Sequence, residues 1–258
     1  MALTVLAVGD VVGRSGIEYL KRRLHSIKKM NGADFTVVNG ENASGLGITP
    51  SQAEEIFNAG ADVITLGNHT WDRDGISEYL DDCPYILRPL NYVKGTPGRG
   101  VCVYETPMGK IRIINLIGRC KMDFGPDNPF LAADAELKRE SCAVTLVDFH
   151  AEATSEKIAM AYYLDGRVSA VWGTHTHVQT ADARIMPKGT GYISDLGMTG
   201  PAESVIGVKP ENSITFFTTS RRVRFEQAPG PCYLECALYS IDARTGLCEN
   251  VRAMRITD

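Results

Sequence analysis

Three strand-like runs near the start of the chain, Leu3 to Val8, Phe35 to Asn39 and Asp62 to Leu66, all stop in the same way. Each ends in a glycine followed by polar side chains: Gly9-Asp10, Gly40-Glu41-Asn42 and Gly67-Asn68-His69. The first run is almost continuously apolar, as a strand covered on both faces must be. Between the first two runs, Ser15 to Lys29 carries Ile17, Leu20, Leu24 and Ile27 at helical spacing, with basic residues and an expected surface His25 between them. Before the third, Thr49-Pro50 supplies an N-cap and a first-turn proline for a helix ending near Gly60. Strand, helix and strand in alternation predict an α/β fold. In open α/β sheets ligands gather at the carboxyl ends of the strands, where these polar residues fall.

Beyond Pro84 the chain becomes richer in glycine and proline, and Val101 to Glu105 and Lys110 to Leu116 read as a hairpin around Met108-Gly109. This suggests a more antiparallel second half. Phe124 to Pro129 reads as a loop and Leu131 to Glu140 as a helix; Ala143 to Phe149 is a strong strand ending at His150. A helix over Ser155 to Leu164 precedes a strand over Val168 to Trp172, which delivers Gly173-Thr174-His175-Thr176-His177. On extended backbone residues i and i+2 point to the same side, so the two rings are expected to converge on one point. Ala183 to Met186 and Tyr192 to Ser194 frame a turn, Asp195 to Lys209 reads as a loop, and Cys232 to Ile241 with Glu249 to Ile256 makes a closing hairpin.

At 258 residues, with no repeat, low-complexity tract or linker, residues 1–258 are expected to form a single domain. Seven cysteines, scattered and odd in number, spell neither a disulfide framework nor a paired zinc motif, so reduced thiols in the cytoplasm are expected. Leu3 to Val8 is far too short to span a membrane and has no basic segment before it. The net charge of −4 argues against a broadly basic nucleic-acid-binding surface. A local site for RNA stays open, through Arg221-Arg222-Val223-Arg224, although a solvated face is the plainer reading of that run. A homo-oligomer also stays open.

The polar groups at strand ends are Asp10, Glu41, Asn42, Asn68, His69, His150, His175 and His177. Taken singly, Asp10 is a turn former, Glu41-Asn42 a solvated loop, Asn68-His69 a helix cap and His150 a core histidine. Recurrence at five strand ends is what links them. Carboxylate, amide and imidazole without thiolate suit manganese, iron or zinc. The set is too large for one tetrahedral ion and suits two, sharing a carboxylate and clamping an in-line displacement at phosphorus.

In their order and spacing, Asp10-x-Val12, Gly40-Glu41-Asn42, Gly67-Asn68-His69, His150 and Gly173-Thr174-His175-Thr176-His177 resemble the motif set of calcineurin-like metallophosphoesterases. They are more closely similar to the YmdB-type branch, as is Gly191 to Pro201. The wider superfamily opens with Asp-x-His and bridges its ions with aspartate. Here Val12 and Glu41 stand at those places, as in the YmdB-type branch. The resemblance implies a four-layer α/β/β/α sandwich of mixed sheets and two divalent or mixed-valence ions, iron or manganese first and zinc as an alternative. It implies one ion on Asp10, Glu41 and His177, with Asn42 beside it, and another on Glu41, Asn68, His150 and His175.

The activity so implied is hydrolysis of small cyclic nucleotides, 2′,3′- or 3′,5′-linked, by a metal-bridging hydroxide. Asn42 would stabilise charge on the phosphate and His69 would donate a proton to the departing ribose oxygen. Two alternatives remain: a phosphomonoesterase or nucleotidase using the same ions, and a regulatory RNA-associated protein whose metal is mainly structural.

Overall fold

The computed structural model describes residues 2–122, 125–139 and 142–257. The chain begins with β1 (Ala2–Val8), β2 (Asp10–Val11), α1 (Gly13–Asn31), β3 (Phe35–Asn39), α2 (Pro50–Asn58) and β4 (Val63–Thr65). It continues through α3 (Ile76–Asp82), β5 (Ile86–Leu87), β6 (Val101–Thr106), β7 (Gly109–Ile117), α4 (Pro129–Leu137) and β8 (Val144–His150). Next come α5 (Thr154–Leu164), β9 (Ala170–Thr174), β10 (Arg184–Ile185), β11 (Gly191–Ile193) and β12 (Met198–Pro201). The last elements are α6 (Pro210–Thr219), β13 (Cys232–Asp242) and β14 (Cys248–Ile256).

Two mixed sheets form. One has the order β2-β12-β13-β1-β3-β4-β5, with β14 on β13; the other has the order β10-β11-β9-β8-β7-β6. Side chains alternate across each strand and so sort into separate apolar layers. In β1, Leu3, Val5 and Ala7 face the second sheet, meeting Ile113, Leu146 and Trp172, whereas Leu6 and Val8 join Leu20 and Leu24 of α1 and Ile56 of α2. In β7 and β8, Leu116, Val147 and Phe149 face outward to Met160, Ala161 and Leu164 of α5. Helices thus cover the outer face of each sheet, which gives the α/β/β/α sandwich.

Local chemistry sets the element ends. The Thr49 hydroxyl accepts from the Gln52 N–H while the Gln52 side chain accepts from the Thr49 N–H, a reciprocal cap that starts α2. The Asn128 side chain accepts from the N–H groups of Phe130 and Leu131 at the start of α4. Phe124 of the expected loop and Glu140 of the expected helix lie outside the described residues.

The β6–β7 hairpin exists, and the second half is the more antiparallel one: β1–β3, β3–β4 and β4–β5 are parallel, whereas β6–β7, β10–β11, β12–β13 and β13–β14 are antiparallel. The centre of the second sheet is nevertheless parallel, through β7–β8, β8–β9 and β9–β11. Helices α4 and α5 return the chain between those strands, and such crossovers permit parallel pairing. One expectation is corrected: the stretch read as a loop after Asp195 holds β12, whose Thr199 pairs with Leu234 despite its glycine and proline neighbours.

Candidate metal centre

The polar residues converge where the carboxyl ends of the two sheets meet. Asp10 stands in β2, in register with Met198 of β12. Glu41 and Asn42 follow β3, Asn68 and His69 follow β4, His150 closes β8, and His175 follows the last residue of β9.

Glu41, His150 and His175 each place one donor atom within 4.8 Å of the other two. Glu41 Oε1 is 3.0 Å from His150 Nε2, which is 3.0 Å from both Asn68 Oδ1 and His175 Nδ1. A second grouping lies alongside. His177 Nε2 is 3.7 Å from Asp10 Oδ1 and 3.1 Å from Asn42 Nδ2, and Asn42 Nδ2 donates to Glu41 Oε1 at 3.2 Å. Glu41 therefore touches both groups. The backbone must come close for this to happen: a Cβ on Gly67 would sit 2.2 Å from Glu41 Oε2 and 2.3 Å from His150 Nε2.

The extended backbone expected through His175 and His177 is corrected. β9 stops at Thr174, and the two histidines have φ of 105° and 62°, a left-handed region that side chains occupy only at a cost. The rings diverge, His175 toward His150 and His177 toward Asp10. The turn is held by Thr176 between them: its N–H and hydroxyl both donate to Asp195 Oδ2, at 3.1 and 2.7 Å. That same oxygen accepts from buried Lys157 at 2.7 Å.

Several supporting residues carry little signal in the sequence. Buried Asp148 accepts from the hydroxyls of Thr65 at 2.5 Å and Thr174 at 2.7 Å. Thr174 Oγ1, its own proton engaged with Asp148, is left to accept from His150 Nδ1 at 2.9 Å. This fixes the ring orientation that turns Nε2 into the cluster. Asp148 and Thr174 sit inside apolar strands, where the only available signal was a polar residue on a strand otherwise built for burial.

The electrostatics follow from burial and crowding. Burial pushes the Asp10 carboxyl up to about 6, with His177 and His150 opposing it. Burial also raises Glu41, but His150, by charge and hydrogen bond, together with His69 and His175, outweighs it and brings Glu41 down to about 2. Burial alone would lower His150; the carboxylates of Glu41, Asp10 and Asp148 raise it to about 9. His175, desolvated and beside His150, falls to about 3.

Asp10 Oδ1 is fully buried and has no hydrogen-bond partner among the described residues. Leaving such an oxygen unsatisfied costs free energy that a cation would offset. The donor set, carboxylates, imidazoles and amides without thiolate, fits manganese, iron or zinc. The cluster opens into a cavity of about 700 Å³. His69 lines it, with its N–H donating to Glu41 Oε2 at 3.2 Å and its Nδ1 2.7 Å from Asp72 Oδ2.

Residues 6–254 match a family model described as YmdB-like protein. A Bacillus subtilis protein named 2′,3′-cyclic-nucleotide 2′-phosphodiesterase is 45% identical, over 99% of this chain and 98% of its own length. A Mycoplasma pneumoniae crystal structure described as a novel phosphatase superposes with a TM-score of 0.95 at 36% identity, covering 100% of this chain and 94% of that one. A hypothetical protein from Thermus thermophilus superposes with a TM-score of 0.93 at 38% identity, covering 99% of this chain and 100% of that one.

Proposed function

Because the chain belongs to the YmdB-like protein family, we propose that it is a metal-dependent phosphodiesterase that hydrolyses cyclic nucleoside monophosphates, the 2′,3′-linked class foremost. The observation that carries this reading is the joining of two donor groups through Glu41 at the floor of one cavity. In this reading Asp10, Glu41 and His177 would hold one cation, and Glu41, Asn68, His150 and His175 a second. Iron or manganese is preferred, with zinc as an alternative. Such ions, when bound, supply Lewis-acid charge at the phosphodiester and a more acidic water.

The chain's own groups do the rest. Asn42, which gives one amide N–H to Glu41, offers the other to an oxygen of the phosphate as charge builds on it. His69 donates a proton to the departing ribose oxygen, and Asp72 orients its ring through Nδ1 at 2.7 Å. Asp148 and Thr174 hold the His150 ring in one orientation. The whole of 1–258 is read as one domain, supported by the apolar layer that the two sheets share. A cytoplasmic setting is supported by the seven free cysteines.

A second reading, phosphomonoesterase or nucleotidase with the same ions, is favoured by the description of the Mycoplasma pneumoniae relative as a phosphatase. Activity on bis-p-nitrophenyl phosphate and 2′,3′-cyclic nucleotides, without activity on p-nitrophenyl phosphate, supports the phosphodiesterase. The reverse pattern supports the monoesterase.

A further inference from the structure

We propose that Phe225 is the base-recognising residue of this site, a stacking wall for the nucleobase of the substrate; the inference rests on the cyclic-nucleotide reading above. The cavity that opens from the metal centre is lined both by polar groups, Asn42 and His177 among them, and by apolar side chains. Phe225, Leu46 and Ile206 line it while remaining 52%, 52% and 49% exposed. One exposed apolar side chain needs no explanation, but three converging on one concave surface beside a catalytic cluster mark a place for an apolar part of a ligand. A nucleotide combines the same two characters, a charged phosphate and a flat aromatic base.

Phe225 is also held in place. The Lys209 N–H donates to the Glu226 carbonyl at 2.9 Å, and the Ala228 N–H to the Gly207 carbonyl at 3.0 Å, so a backbone ladder anchors the segment that carries it. The same 204–208 loop offers the Ile206 carbonyl to His177 Nδ1 at 3.0 Å. The wall and a candidate metal ligand are thereby fixed to one another. Phe216 meets Phe225 edge-on, with ring centroids 5.8 Å apart and an interplanar angle of 65°, a contact that engages at most one face of Phe225. With Phe225 half exposed, ring surface remains for a base. Arg224 lines the same cavity, so the end of the arginine run borders the site.

The test compares 2′,3′-cyclic AMP with a base-free substrate, methyl riboside 2′,3′-cyclic phosphate, on the metal-loaded enzyme. Phe225→Ala should raise KM for cyclic AMP roughly tenfold or more relative to the base-free ester, as loss of a stacking partner does. Phe225→Trp should restore the ratio and Phe225→Leu should not. Calorimetry of adenosine with metal-free protein should show the same order of affinities, because that contact needs no phosphate. An equal change on both substrates, or an unchanged ratio with unaltered adenosine binding, overturns the proposal. A wild-type enzyme inert toward both esters overturns the phosphodiesterase reading instead, and the adenosine titration still decides the role of Phe225.

Discussion

Asp195 grips Thr176 twice through a single oxygen, from the backbone N–H at 3.1 Å and from the hydroxyl at 2.7 Å. This contact bends the chain between His175 and His177 and sends their rings to different partners. Both neighbours occupy positive φ, and the strain, roughly 1–3 kcal/mol at each residue, must be offset by the surrounding structure. Lys157 supplies part of that support, buried against the same oxygen.

Asp195→Ala should therefore act on both stability and the site. It leaves the Lys157 ammonium buried without its partner, which should cost about 3–5 kcal/mol in urea unfolding. It also frees Thr176, so metal retained after dialysis should fall. Lys157→Met combined with Asp195→Leu should recover part of the stability but not the metal. Recovery of both would contradict the role given to Asp195 in shaping the turn.

Gly67→Ala brings a methyl group to 2.2 Å from Glu41 Oε2 and 2.3 Å from His150 Nε2. Neither group has room to retreat, since both are fully buried. Circular dichroism should show a folded protein, while metal analysis should show loss of the ion assigned to Glu41, Asn68, His150 and His175. Full metal content would contradict the close approach.

His69→Ala should leave metal content intact and reduce turnover of cyclic nucleotides by roughly two to four orders of magnitude, the usual scale for loss of a general acid. Leaving groups that need no proton, such as p-nitrophenolate, should be affected far less. Equal loss on both kinds of ester would remove His69 from the proton-donor role.

Metal loading should release protons, and the pH dependence has a definite sign. With its pKa raised to about 9, His150 in the metal-free protein is protonated at pH 7, and a cation must displace that proton. The release from His150 is full well below pH 9 and fades as pH rises through it. Asp10, raised to about 6, adds a further proton only below that pH. Calorimetric titration in buffers of different protonation enthalpy measures the count, and a count that does not fall between about pH 7 and about pH 10 would contradict the assignment.

The meeting of Asp10, Glu41, Asn68 and His150 was legible because each stands at or just beyond the end of a strand marked by its own apolar run. The continuous apolar run of β1 also foretold burial on both faces: Leu3, Val5 and Ala7 part from Leu6 and Val8 as a period of two requires. The path of the His175-Thr176-His177 turn was not legible. It depends on Asp195 and Lys157, which lie on separate parts of the chain and meet only in the fold. Lys157 looks like a solvated helical residue until α5 packs on the sheet. Asp148 and Thr174 were hidden for the same reason, as polar interruptions of strands whose partners come from other parts of the chain. Phe225 carries no periodic signal at all, since its segment lies between elements and its neighbours are exposed.

A two-ion phosphodiesterase centre with His175 and His177 on different ions is tested by metal analysis of protein purified without added metal, coupled to turnover of a cyclic-nucleotide panel, for the wild type, His175→Ala and His177→Ala. Two ions per wild-type chain and one in each variant are expected, with turnover lost in both. Full activity with fewer than two ions per chain would contradict the two-ion centre.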